Sequence, residues 1–237
     1  MDLRLAGQGA LVTGGSSGIG AAIAGTLAEE GCAVLVHGRD AGAATAVAEQ
    51  VAAHGVRAEV VLGDLTEPGV AEEVAVTARG FGARILVNNA GPFAEHDWDS
   101  AGPADWRAAF EGNVLPTVRV TQTLLPSLRQ HGWGRVITIG SRAVRMPPDT
   151  LTYSAARAAV VNMTTSLAHH LAGTGVTANC VSPGVIVTDE ERIDGSSGER
   201  PGRPQDIAAA VAYLASPLAD YVNGIELRVD GGITGTP

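Results

Sequence analysis

The sequence predicts a doubly wound α/β fold, one domain over residues 1–237 in which a parallel sheet of about seven strands carries helices on both faces. Three observations predict it. Short, near-continuous apolar runs recur along the chain, and Ala-rich stretches of helical period separate them. The composition joins 45% apolar residues to only 4% aromatics and 31 glycines. Strands that are apolar throughout, rather than alternating, are buried on both faces, as parallel strands between two helix layers are. A core of Ala, Val, Leu and Ile around many tight turns has this composition.

The strands are expected, in order, at ALVT (10–13), AVLVH (33–37), AEVVL (58–62), RILVNN (84–89), RVITIG (135–140), VTANCV (176–181) and IELRVD (225–230). Each is a short β-rich apolar run. The helices between them are expected near 18–30, 41–54, 68–79, 104–131, 154–172 and 205–215, where apolar residues recur at helical spacing. No repeat or long low-complexity tract interrupts the alternation. One composition shift stands out, DEERIDGSSGERPGRP at 189–204, which is charged, rich in Gly and Ser, and reads as a mobile surface loop. It follows Pro183 and Gly184 at the end of the sixth strand. The carboxyl edge of an open α/β sheet is where ligands bind.

The same composition excludes several classes of function. A formal charge of −9 with scattered arginines argues against nucleic acid as a partner. Cys32 and Cys180 lie in apolar runs without CxxC or metal-ligand spacing, so both are expected as buried, reduced thiols. His169 and His170 are adjacent and point about 100° apart on a helix. They form no metal pair, and His37, His54, His96 and His131 show no ligand spacing. Glu190 and Glu191 read as a solvated loop, since a glycosidase-type carboxylate pair needs separate elements flanking one bond. No metal is expected. The amino terminus has no signal-peptide pattern, and no segment approaches the roughly 18 apolar residues of a membrane span. A cytoplasmic protein with no membrane partner is the expectation.

Gly14, Gly18 and Gly20, in LVTGGSSGIG, fall between the first strand and the first helix with the spacing GxxxGxG, and that helix runs to Gly31. Glycines permit a tight turn and close backbone approach, and the free N–H groups at a helix start offer a site for a pyrophosphate. A tight β–α turn needs glycine for structural reasons too, so position in the first βα unit is what favours nucleotide binding.

TGGSSGIG resembles the cofactor motif of the classical short-chain dehydrogenase/reductase family, a Rossmann-type fold. Further stretches match in that family's order over essentially the whole chain: NNAG at 88–91, Asn113 in FEGNVLPT, GRVITIGS ending at Ser141, YSAAR at 153–157, PGVIVT at 183–188, RPGRPQDIA at 200–208 and VDGG at 229–232. The resemblance implies a nicotinamide dinucleotide held by Gly14, Ser16, Ser17, Gly18, Ile19, Gly20, Arg39, Asp64, Leu65, Asn89, Ala90, Gly91, Pro183, Gly184, Ile186 and Thr188. An acid at the end of the second strand would bind a ribose 2′-OH and select NAD, whereas an arginine would pair with a 2′-phosphate. VLVHGRD has Gly38 there, with Arg39 next to it. NADP(H) is therefore preferred, with NAD(H) as the alternative, because guanidinium–phosphate pairing is bidentate and strong. The competing reading of Arg39 is a solvated side chain opposite Asp40. For Asp64, the family's adenine contact competes with capping of the next helix.

The resemblance places the catalytic work on Asn113, Ser141, Tyr153 and Arg157. Carbonyl reduction needs a hydroxyl within hydrogen-bond reach of the carbonyl oxygen, and Tyr153 is the candidate acid. Positions i and i+4 share a helix face, so Arg157 sets a permanent cation beside that phenol. The family has lysine at this place. Arginine keeps the charge, but a planar guanidinium cannot simply occupy the place of a compact ammonium. Ser141, 12 residues before Tyr153, matches the family's substrate-orienting serine; taken alone, it is a strand-end turn residue. Asn113 alone is a polar helix residue. Three readings stay open: a reductase with adapted geometry, a slow or specialised one, and a protein that binds cofactor without redox turnover, as a regulatory protein or a non-redox enzyme.

Between Thr188 and Arg200 only 11 residues intervene, a short polar substrate loop at about 189–200, whereas the family's lid is commonly longer. A short lid leaves the cleft open and suits a bulky or carrier-attached carbonyl substrate. Arg142 and Arg145 near the entrance are either attractors of an acidic substrate or solvated surface residues. Helices 104–131 and 154–172 are apolar over more than one face. Extra apolar coverage points to subunit contact, and the resemblance implies a homodimer or homotetramer through them.

Overall fold

Seven strands, β1 (Gly9–Val12), β2 (Ala33–Gly38), β3 (Ala58–Leu62), β4 (Ala83–Asn88), β5 (Gly134–Ile139), β6 (Val176–Pro183) and β7 (Glu226–Val229), pair into one sheet. Its order is β3-β2-β1-β4-β5-β6-β7, and every pairing is parallel. The computed structural model describes residues 1–145, 150–188 and 201–234; the expected substrate loop at 189–200 lies outside them.

The helices are α1 (Gly18–Glu29), α2 (Ala41–Ala52), α3 (Val70–Phe81), α4 (Pro103–Asn113), α5 (Leu115–His131), α6 (Leu151–His170) and α7 (Pro204–Ala215). Ile23, Leu27, Val47, Val51, Val211 and Leu214 of α1, α2 and α7 pack on one face of the sheet. Val74, Ala78, Leu124, Leu128 and Ala168 of α3, α5 and α6 pack on the other. The chain builds outward from β1 to β3 and then returns to lay β4 on the opposite side of β1. Two crossovers thus diverge between β1 and β4, leaving a crevice at their carboxyl ends.

Two expected elements differ. The single helix expected over 104–131 is two, α4 and α5, which meet at Val114. Pro116 accounts for the break: it offers no N–H to the preceding turn, and it sits in the first turn of α5, where an N–H has no intrahelical partner to lose. Helix α6 begins at Leu151 rather than 154, because the Leu151 N–H donates to the His96 carbonyl at 2.9 Å. A loop 55 positions upstream therefore caps α6, which sequence periodicity does not register. Tyr153 consequently sits in the first turn of α6.

Candidate active site

The glycine turn closes at the carboxyl end of β1. Gly14 and Gly18 take positive φ angles of 62° and 52°, which suit glycine. A Cβ on Gly14 would come within 3.0 Å of Asn89 Nδ2, and one on Gly20 would overlap the Gly14 carbonyl. Asn89 staples the turn from β4: its Nδ2 donates to the carbonyls of Thr13 and Gly14 at 3.0 and 3.1 Å. Ser17 precedes α1, and the first turn of that helix holds no acidic residue. Gly18, Ile19 and Gly20 at the start of that helix line the cleft, an arrangement that fits a pyrophosphate.

At the end of β2, Arg39 is largely exposed and pairs with Asp64 at 3.4 Å. It does not stand opposite Asp40, whose carboxylate instead accepts from the Ala43 N–H and caps α2. The helix-capping role considered for Asp64 also fails, since Gly69 precedes α3. Asp64 accepts from the hydroxyl and N–H of Thr66 at 2.7 and 3.0 Å. These two bonds, followed by Arg39, hold its carboxyl below the usual range. Gly38 is tightly constrained: a Cβ there would lie 2.7 Å from Ser16 Oγ.

Tyr153 faces the crevice, its ring meeting Phe93 edge-on at 5.0 Å between centroids. One turn later, Arg157 is 3% exposed; its Nη1 donates to the Ile139 carbonyl at 2.9 Å and its Cζ stands 5.2 Å from the Tyr153 ring centre. Nε is buried without a partner. Among the described residues no carboxylate pairs with this guanidinium. Ser141 Oγ accepts from the Ala143 N–H at 3.1 Å, opening a short 3-10 turn at Arg142–Val144. Arg145, just beyond, is tied down rather than left to attract substrate: it pairs with Glu226 of β7 at 3.5 Å, and Ser182 donates to the same carboxylate at 2.7 Å.

These parts border one cleft of about 910 Å³, which runs from the glycine turn and the Arg39–Asp64 pair to Ser141, Tyr153 and Arg157. Every dinucleotide candidate named from the sequence lines it. Asn113 does not: it is buried behind Gly91, its Nδ2 donating to the Ala109 carbonyl at 3.0 Å and its Oδ1 unpartnered. His37 and Phe93 also line the cleft. Phe93 falls in no motif and the sequence did not point to it, whereas His37 was read there only as a histidine without ligand spacing. Among the described residues no cluster of His, Cys, Asp and Glu could hold a metal ion, and no helix is long and apolar enough to cross a membrane.

Comparison with known proteins identifies the family. A family model described as short chain dehydrogenase covers residues 8–195. Nodulation protein G of Azospirillum brasilense is 37% identical, over 94% of this chain and 97% of its own. The 3-oxoacyl-[acyl-carrier-protein] reductase FabG of Vibrio cholerae is 35% identical over 98% and 99%. The L-sorbose reductase of Gluconobacter frateurii, solved with NADPH and L-sorbose, superposes with a TM-score of 0.93 at 29% identity over the whole of both chains. The chain belongs to the short chain dehydrogenases, a family of oxidoreductases.

Proposed function

We propose that this protein reduces a ketone with NADPH, or runs the reverse alcohol oxidation, as one dinucleotide-binding domain. The observation that carries the reading is a single cleft joining a turn suited to a pyrophosphate to a phenol beside a buried guanidinium that no carboxylate among the described residues pairs with. The NADPH of the sorbose reductase and the reductase name of the Vibrio relative support it.

In this reading Gly14, Ser16, Ser17, Gly18, Ile19 and Gly20 hold the pyrophosphate, and Arg39 the 2′-phosphate. Asp64 and Leu65 face the adenine. Asn89, Ala90 and Gly91 border the middle of the cofactor, and Pro183, Gly184, Ile186 and Thr188 its nicotinamide end. Bound there, the cofactor supplies the hydride. Tyr153 gives its proton to the carbonyl oxygen while Ser141 orients that oxygen. Arg157, placed where the resembling family has lysine, keeps a positive charge one helical turn from the phenol. Asn113 positions Gly91 and Arg157 from behind.

The substrate end is rimmed by exposed Phe93 and Val185, which suits a bulky or carrier-linked ketone. Two buried free thiols, Cys32 and Cys180, accord with a reducing compartment such as the cytoplasm. Partly exposed Phe110, Val118, Ala159 and Met163 on α4, α5 and α6 support a homodimer or homotetramer, which light scattering would report.

The deciding assay follows NADPH and NADH absorbance against a ketone panel with polycyclic and thioester-linked members. Wild type should turn over with NADPH, Arg157→Lys should keep activity, and Tyr153→Phe should lose about a hundredfold or more. Turnover that survives in Tyr153→Phe, or appears only in Arg157→Lys, would remove the reductase reading.

A further inference from the structure

The two amides that open the glycine turn both donate to one residue of the neighbouring strand. Gly15 N–H reaches the backbone carbonyl of His37 at 2.7 Å, and Gly14 N–H reaches Nδ1 of its imidazole at 3.1 Å. The other ring nitrogen, Nε2, lies 3.1 Å from the Gly63 carbonyl. An amide only donates and a carbonyl only accepts, so these partners assign a neutral ring with its proton on Nε2. Strand β1 has ended at Val12, and the imidazole takes the place of the strand carbonyl that Gly14 lacks.

His37 is 3% exposed and lines the cleft between the glycine turn and the Arg39–Asp64 pair. Its two bonds thus join the loops after β1 and β3. The charged groups that face it are Asp64 and Arg39, which are paired with each other and oppose one another in effect. A protonated ring would carry N–H on both nitrogens, setting donor against donor at Gly14. A buried amide without its acceptor is costly, so the turn would have to move.

We propose that His37 is a positioning residue for the dinucleotide: its neutral imidazole sets the glycine turn for binding, and protonation releases the turn. The proposal rests on the dinucleotide reading above. Burial lowers the ring's pKa from the ordinary 6.5, against smaller opposing effects of the Gly63 carbonyl and Asp64. The turn is therefore set at neutral pH, and affinity falls as pH drops below that ordinary value. The positive charge alone would attract a pyrophosphate, so affinity rising in acid would refute the proposal.

The test measures binding of NADPH and of NADH to the full chain by titration calorimetry from about pH 8 to about pH 5. NADH lacks the 2′-phosphate, which itself titrates near about 6. In His37→Asn, Oδ1 can replace Nδ1 as acceptor for Gly14, whereas His37→Leu removes the acceptor. Wild type is expected to lose about tenfold in affinity for both cofactors over this range. His37→Asn should match wild type at the upper pH and show no acid loss for NADH, and His37→Leu should be about tenfold weaker throughout. An unchanged acid loss in His37→Asn, or wild-type affinity in His37→Leu, overturns the role of His37. In wild type alone, imidazole ¹⁵N resonances should titrate at lower pH once NADPH is bound; an unmoved titration also overturns it, whether or not the variants fold. Wild type that binds neither cofactor at the upper pH removes the dinucleotide reading itself, a separate outcome.

Discussion

Arg157 stands one helical turn beyond Tyr153, its guanidinium carbon 5.2 Å from the centre of the phenol ring, and the Ile139 carbonyl holds its Nη1 at 2.9 Å. The arginine is thus anchored to the end of β5 by one arm while its charge remains beside the phenol. Removing it strips a buried carbonyl of its donor as well as the site of its cation. Arg157→Met should therefore lower stability by about 1–3 kcal/mol in denaturant unfolding, with Arg157→Lys closer to wild type. Equal stability of all three would show that the bond to Ile139 contributes nothing.

Gly91 is the other constraint on that arginine. A Cβ there would lie 3.2 Å from Arg157 Cζ, nearer still to Nη2, and would overlap Asn113 Oδ1. Gly91→Ala should displace the guanidinium and cost about 1–3 kcal/mol, as overpacking does. Thermal unfolding together with the kcat of carbonyl reduction checks it; an unchanged kcat would mean that the guanidinium's position is not used.

The absence of an acid at the end of β2 has a steric side. A Cβ at Gly38 would meet Ser16 Oγ at 2.7 Å and Ser16 Cβ at 2.8 Å. Gly38→Asp alone should weaken binding of both NADPH and NADH. Combining it with Ser16→Gly should restore NADH binding while NADPH stays weak, a preference change of about tenfold or more. If the single substitution already switches preference, Ser16 yields easily and does not guard the position.

Burial pushes the thiols of Cys32 and Cys180 up to about 12. Thiolate is the reactive form, so a disulfide reagent near neutral pH should titrate neither in the native protein and both after unfolding in guanidinium. Rapid native labelling would show that one of them opens to solvent.

The Arg145–Glu226 pair should act as a modest strut. Arg145 is substantially exposed, so screening limits the pair, and a double-mutant cycle with Arg145→Gln and Glu226→Gln should give a coupling of about 0.5–1 kcal/mol, reduced at high salt. Zero coupling would leave Arg145 available to a substrate after all.

The sheet was legible in the sequence because strands buried on both faces are written as unbroken apolar runs, and all seven appear near their expected positions. The glycine turn and the Tyr153–Arg157 spacing were legible for the same local reason: a few consecutive residues carry the geometry. What escaped depends on contacts between distant segments. Leu151 opens α6 through His96, Arg145 finds Glu226 on β7, and His37 reaches Gly14 across two strands. Periodicity carries no information about such partners. The break at Val114 was nearer to hand, since Pro116 marks it, but an apolar pattern continuing across the proline concealed it.

Ile186 and Gly202 pair as an isolated bridge, with Val187 N–H donating to Gly202 and Gly202 N–H to Val185, at 3.0 and 2.8 Å. The bridge holds Val185–Val187 beside Gly202, and a Cβ at Gly202 would lie 2.7 Å from Ile186 Cδ1, so a larger residue there would make that side chain shift. A bridge of this kind fixes its own two strands independently of the sequence that joins them. Substitutions in the joining sequence should therefore leave Ile186, Gly202 and the start of α7 at Pro204 in place.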